Sequence, residues 1–186
     1  MKKEIRIIGI DDAPFDKFRD KTTLLVGVVY RGGSFLDGVV STRVGVDGNN
    51  ATDKIASMVS GCRFRPQLQA IILDGIAVGG FNVVDIKQVY DRTGIPVIVV
   101  MRAYPDLEKI ECALKKLGKG KKLRYIRNAG PIYRAGKIHI QFCGIEPERA
   151  TGIIKLTSTH SLIPEPIRAA HLIASGVVSG ESRGRA

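Results

Sequence analysis

Tryptophan is absent from the 186 residues, aromatic residues make up 6% of them, and cysteine occurs three times. Cys62, Cys112 and Cys143 are widely spaced, odd in number and form no Cys-x-x-Cys pair, which excludes a disulfide framework and a cysteine-based zinc site. That usage fits a reducing, cytoplasmic compartment. The longest apolar stretch, residues 95–101, is interrupted by Pro96 and falls far short of a membrane span. The first ten residues, MKKEIRIIGI, bring in Glu4 before any apolar core and so lack the pattern of a signal peptide. No Gly-x-Ser-x-Gly elbow and no P-loop occur, which leaves acyl hydrolase and nucleotide-triphosphatase chemistry without a motif. An apolar share of 44% excludes a disordered chain, and the length is that of one ordinary globular domain spanning residues 1–186.

Acidic residues are missing altogether from residues 112–145. The same interval holds Lys115, Lys116, Lys119, Lys121, Lys122, Arg124, Arg127, Arg134 and Lys137, nine cations in a chain whose net charge is +11. Clustered cations read as the footprint of a polyanion, nucleic acid foremost, because phosphates pair with Lys and Arg and release counterions. The alternative is a solvated segment that keeps the protein in solution.

Residues 5–10 (IRIIGI), 23–31 (TLLVGVVYR) and 35–46 read as three strands of an antiparallel meander, the third irregular around Asp37-Gly38. Residues 47–50 (DGNN) look like a helix start, and Ala51, Ile55, Met58 and Val59 recur at helical spacing up to Gly61. Strand and helix then alternate: strands at 68–73 and 95–100, helices at 83–92 and 105–117, a hairpin at 131–133 and 137–142, and closing helices at 146–156 and 164–178. Three antiparallel strands followed by parallel ones give an α/β domain with a mixed five-stranded sheet covered by helices on both faces.

Asp11 and Asp74 each close an apolar strand, and ligands of open α/β sheets gather at the carboxyl ends of strands. Asp47 ends the third strand. Carboxylates converging there suit Mg²⁺ or Mn²⁺, which takes one or two carboxylates with waters and substrate phosphate. Such a site can activate water for phosphodiester cleavage. Asp-Gly is also an ordinary turn dipeptide, Asp47 could cap a helix, and Asp12 and Asp37 read as turn residues. His160 lies in a polar run that suits a surface or capping histidine, His171 in an apolar helix that suits packing, and His139 on the outer face of a strand.

These segments resemble the endonuclease V group of the ribonuclease H-like superfamily, and within it a small, mostly archaeal family of endonuclease dU-like relatives. The likeness runs through IGIDDAPF, LQAIILDGIAVGGFNVVDIKQVYDRTGIPVIVVMR and THSLIPEPIRAAHLI. The resemblance implies a metal-dependent endonuclease acting near deaminated bases in DNA, with Asp11, Asp74 and Asp47 as metal-holding catalytic acids. It also implies that Arg102 replaces a lysine contacting substrate and that His160 completes the active centre. With Lys119, Lys121, Lys122, Arg124 and Arg127, Arg102 would hold the nucleic-acid backbone. Two departures stand out: Val78-Gly79-Gly80 replaces the family's His-Pro-Arg, and the chain holds no counterpart of its Tyr/Pro wedge. A non-catalytic nucleic-acid-binding protein and an RNA-directed nuclease are the alternatives on the same scaffold.

Overall fold

A computed structural model describes residues 4–182. The meander is present as β1 (Arg6–Asp12), β2 (Thr22–Arg31) and β3 (Phe35–Gly45), paired antiparallel. After α1 (Ala51–Gly61) come β4 (Leu68–Asp74), the two-residue strands β5 (Ala77–Val78) and β6 (Asn82–Val83), α2 (Ile86–Thr93) and β7 (Val97–Met101). The chain continues through α3 (Leu107–Lys116), α4 (Leu123–Asn128), β8 (Tyr133–Ala135), β9 (Ile138–Cys143), α5 (Pro147–Thr157) and α6 (Glu165–Ser179).

The main sheet runs β3-β2-β1-β4-β7-β9-β8. Its first five strands are the five expected ones, with β4 and β7 parallel to β1. The β8–β9 hairpin adds two more, because β9 pairs antiparallel with β7 instead of standing apart from the sheet. Each central strand is buried on both sides, which explains its unbroken apolar run. Ile8, Ile10, Ile71, Leu73, Val97 and Val99 pack with Ile55 and Val59 of α1 and Ile86 and Val89 of α2. Ile7, Ala70, Ile72, Ile98 and Val100 pack on the other face against Ile153 and Ile154 of α5 and Ile167 of α6.

Two local departures from the expected pattern have clear causes. The helix expected from residue 83 begins only at Ile86, where the Asp85 side chain accepts the Gln88 N–H at 3.1 Å. Asn82 is held out of it by buried bonds to the Gly45 carbonyl, the Asn50 side chain and the Ala51 N–H. The irregularity at Asp37 is a bulge, since pairing steps from Val29↔Gly38 to Tyr30↔Leu36. The displaced Asp37 is an ion-pair residue more than a turn former, 2.6 Å from Arg6 and 2.8 Å from Arg31.

Gly9 sets the spacing between β1 and α6. A Cβ on Gly9 would lie 2.3 Å from the Pro166 backbone and 2.5 Å from the Ile167 nitrogen, so no other residue fits without moving the helix. Gly9→Val is therefore expected to cost about 3 kcal/mol and to lower the melting temperature by roughly 6–12 °C. A thermal melt matching the wild type would show that α6 is not seated on this glycine.

Candidate functional site

Strand register brings the two distant aspartates together. Ile10 pairs with Leu73 across the parallel β1–β4 ladder, so the next residue on each strand is Asp11 and Asp74. Alternation places both on the α6 face, with Gly9 and Ile7 on one strand and Ile72 and Ala70 on the other. Asp74 in turn pairs with Val100 of β7, and Arg102 follows two residues later on that same face. Three neighbouring strand ends thus carry Asp11, Asp74 and Arg102. Together with Asp12, Ala13, Pro14, Phe15 and His171 they line an open cleft of about 400 Å³.

The helix supplies the histidine. From Gly9 to Asp11 the strand advances two residues, roughly 7 Å. From Pro166, the residue against Gly9, to His171 the helix advances five, also roughly 7 Å. The close contact at Gly9 therefore delivers His171 level with Asp11, and its Nδ1 lies 3.0 Å from Asp11 Oδ2. His171 Nε2 is buried and bonds to nothing among the described residues.

Asp11 is buried, and its pKa is pushed up to about 8. Desolvation is the main cause, followed by the charges of Asp74 and Asp12. Asp12 rises to about 6 for the same first reason, against the pull of the Gly79 N–H on its carboxylate. Asp74 is held differently. Arg102 Nη1 and Nη2 each lie 3.0 Å from one of its two oxygens, a bidentate pair at the mouth of the cleft.

The expected triad of acids does not form. Asp47 lies outside the cleft lining, and it adopts a positive φ of 50° while its Oδ1 accepts the Phe81 N–H at 2.7 Å. It pins the β5–β6 hairpin, whose Gly79 carbonyl accepts the Asp47 N–H. Among the described residues no group of three or more His, Cys, Asp or Glu side chains stands ready to hold a metal. His160 is not at the cleft either. Its neighbour Thr159 donates to the Gly33 carbonyl in the β2–β3 turn, beside the beginning of β1, whereas Asp11 lies at its end. His160 pairs there with Thr159 and buried Glu165, its side chain 76% exposed. The histidine at the cleft is His171, which its apolar helix had marked as a packing residue. A polar ring on the same helical face as Ile167 and Ala174 was the available signal.

The basic segment also divides. Lys122 is buried, with its ammonium on the Gly48 and Phe81 carbonyls, and Lys119 donates to the Asp47 carbonyl. Both pin the loop around Asp47, and both, Lys119 with its side chain 21% exposed, line the pocket that Lys121 and Arg124 share. Lys121 and Arg124 are exposed on a pocket of about 410 Å³ with Asn49, Gln88 and Tyr125, and Arg127 is exposed beside Glu111.

The donor set still suits a hard divalent cation. Mg²⁺ needs only one or two carboxylates, the rest being waters and substrate oxygens. A buried carboxylate raised by two like charges is the environment a cation relieves, and the two N–H contacts of Arg102 leave Asp74 further lone pairs. Asp11 and Asp74 are the residues that could hold one, with Asp12 within electrostatic reach.

Burial of Asp11 has a stability consequence with a definite sign. Between about pH 4 and pH 8 the folded chain keeps a proton on Asp11 that the unfolded chain releases. Stability in chelator therefore falls as pH rises through that window, Asp12 adding to the slope up to about pH 6. Thermal melts across it are expected to show Asp11→Asn with a flatter profile and a higher melting temperature than wild type at pH 8. An unchanged slope in the variant would remove Asp11 as its source.

The chain resembles known proteins along nearly its whole length. Residues 3–178 match the family model of endonuclease dU. A UPF0215 protein of Methanothermobacter thermautotrophicus is 53% identical over 191 aligned residues, covering 100% of this chain and 94% of the relative. A crystal structure of a protein of unknown function from Archaeoglobus fulgidus gives a TM-score of 0.88 at 41% identity, over 94% of this chain and 99% of that one. Endonuclease V of Ciona intestinalis, in complex with a 24mer DNA containing an inosine followed by a ribo-adenosine, gives 0.57 at 15% identity, over 90% of this chain and 83% of its own. That last likeness is one of fold, an α/β domain with a mixed sheet. On the span of the family model and the identity of its relatives, the chain belongs to the endonuclease dU family.

Proposed function

We propose that this chain is a divalent-metal-dependent endonuclease that cuts DNA beside a deaminated base. The observation that carries this reading is the register of β1 on β4, which sets Asp11 and Asp74 side by side at the carboxyl edge of the sheet. Membership of the endonuclease dU family and the DNA bound by a structural neighbour support nucleic acid as the substrate. Mg²⁺ or Mn²⁺, held by Asp11 and Asp74, would supply an activated water and neutralise charge at the phosphate.

The chain's own groups do the rest. Arg102, whose planar fork suits a carboxylate or a phosphate equally, exchanges Asp74 for a phosphate oxygen as substrate enters. His171, fixed by Asp11, stands where it can take or give a proton at the cleft. Lys121, Arg124 and Arg127 hold the backbone farther out, while Lys119 and Lys122 act as positioning residues for the loops around Asp47.

A second reading, nucleic-acid binding without turnover, draws on the Arg102–Asp74 pair, which occupies the acid that hydrolysis needs. Labelled oligonucleotides containing deoxyuridine, hypoxanthine or no lesion, as DNA and as RNA, separate the two when incubated with Mg²⁺, with Mn²⁺ and with chelator. Metal-dependent breaks are expected on lesion-bearing DNA. Asp74→Asn is expected to abolish them with the fold intact, and His171→Ala to slow them by about a hundredfold. Salt-sensitive retention without breaks under any condition would leave binding alone, and full activity in Asp74→Asn would dismiss the site.

A further inference from the structure

We infer that Phe18, on the loop between β1 and β2, is a stacking platform for an unpaired nucleobase of the strand whose phosphate enters the acidic cleft. The inference rests on the proposed substrate class and adds a contact that the acidic cleft does not supply. Phe18 is 95% exposed. An isolated apolar side chain in water is ordinary on protein surfaces, so exposure alone decides nothing. Its setting is what matters.

First, the loop that presents Phe18 is locked. Asp16 Oδ1 accepts the Phe18 N–H at 2.8 Å, Asp20 Oδ2 accepts the Asp16 N–H at 2.7 Å, and the Asp20 N–H returns to the Asp16 carbonyl at 2.9 Å. The two acids of the loop thus serve its backbone. This small closed turn fixes the backbone that holds the ring outward.

Second, the loop is an extension of the cleft. Pro14 and Phe15 line it, and a Cβ on Gly80 at the tip of the β5–β6 hairpin would lie 3.7 Å from the Phe15 ring. Lys17 Nζ sits 5.6 Å from the centre of the Phe81 ring, tying the loop to that hairpin. Phe18 is seven residues beyond Asp11 on a segment braced at both ends.

Third, the ring is flanked by cations. Lys17, Arg19 and Lys21 neighbour it in sequence and are exposed, the Arg19 guanidinium 3.7 Å from Asp16 with its side chain 87% exposed. Aromatic faces interleaved with cations are how proteins grip single strands without reading sequence: each base offers a π-face and each phosphate a charge. A partner protein would also cover an apolar ring, but the exposed cations next to Phe18 in sequence and the acidic cleft from which its loop leads favour a nucleobase.

The test uses the full chain in chelator, where no cleavage occurs, and a single-stranded oligonucleotide carrying 2-aminopurine. Wild type is expected to bind it and to quench its fluorescence by stacking. Phe18→Ala is expected to bind about tenfold more weakly and to lose the quench, with an unchanged melting temperature. Phe18→Trp should restore both, whereas Phe18→Leu, apolar but without a π-face, should not. Equal affinity and quenching in Phe18→Ala, absence of binding by wild type, or a Phe18→Ala change confined to oligomeric state would each overturn the inference. Failure of the nuclease reading is seen separately, as intact strands when wild type is given Mg²⁺, and leaves the quench unaffected.

Discussion

Helix α6 rests on strand β1 at a place where the strand has no side chain, and the position of every other group at the acidic edge refers back to that contact. Pro166 and Ile167 occupy the volume that any residue larger than Gly9 would need. Because β1 is the strand that pairs both with β2 and with β4, the same residue that seats the helix belongs to the strand that fixes Asp11 against Asp74. A shift of α6 by the width of a methyl group would carry His171 out of hydrogen-bonding range of Asp11 while leaving the sheet whole. The cleft is thus more sensitive to helix seating than the fold is.

Two aspartates, Asp37 half-buried and Asp11 buried, show how the same residue type is handled for opposite ends. Asp37 sits at a bulge between Arg31 and Arg6, whose hydrogen bonds hold its carboxyl below the usual carboxylate range. It closes an edge of the meander and has nothing left to offer a ligand. Asp11 is buried, with no guanidinium bonded to it and the charges of Asp74 and Asp12 nearby, and its carboxyl moves the other way. The contacts of Asp11 with the Asp12 N–H and with His171 offset only part of the cost of that burial. Arg102 offsets part of the charge through Asp74, in a pair exposed enough to be exchanged.

Periodicity and strand-end chemistry made most of this legible before any coordinates. The meander, the parallel strands, the hairpin near residue 135 and the pairing of Asp11 with Asp74 all follow from short-range pattern or from the rule that strands end at a common edge. What escaped depended on tertiary partners. Asp47 looked like a third acid because it ends a strand, but a left-handed backbone and the Phe81 N–H turn it toward the hairpin. Lys119 and Lys122 looked like phosphate contacts because charge does not announce direction, and their partners are carbonyls more than thirty residues away. His160 and His171 exchanged places for a related reason: the polar run around His160 does mark a surface histidine, the family resemblance moved it to the active centre, and an apolar neighbourhood concealed the ring that faces the acids.

The distribution of charge divides the labour between capture and chemistry. A phosphate approaching Asp11, Asp12 and Asp74 meets repulsion, with Arg102 the single cation lining the cleft among the described residues. Attraction must come from elsewhere on a chain of net charge +11, and salt limits its range to roughly 8 Å at physiological ionic strength. Lysines that bind carbonyls inside the protein contribute to that field only weakly, so on the proposed reading the exposed Lys121, Arg124, Arg127, Lys17 and Lys21 would supply most of it. On the proposed nuclease reading, a divalent cation that neutralised the acids would let a phosphate descend, so that capture would need no metal and only bond cleavage would.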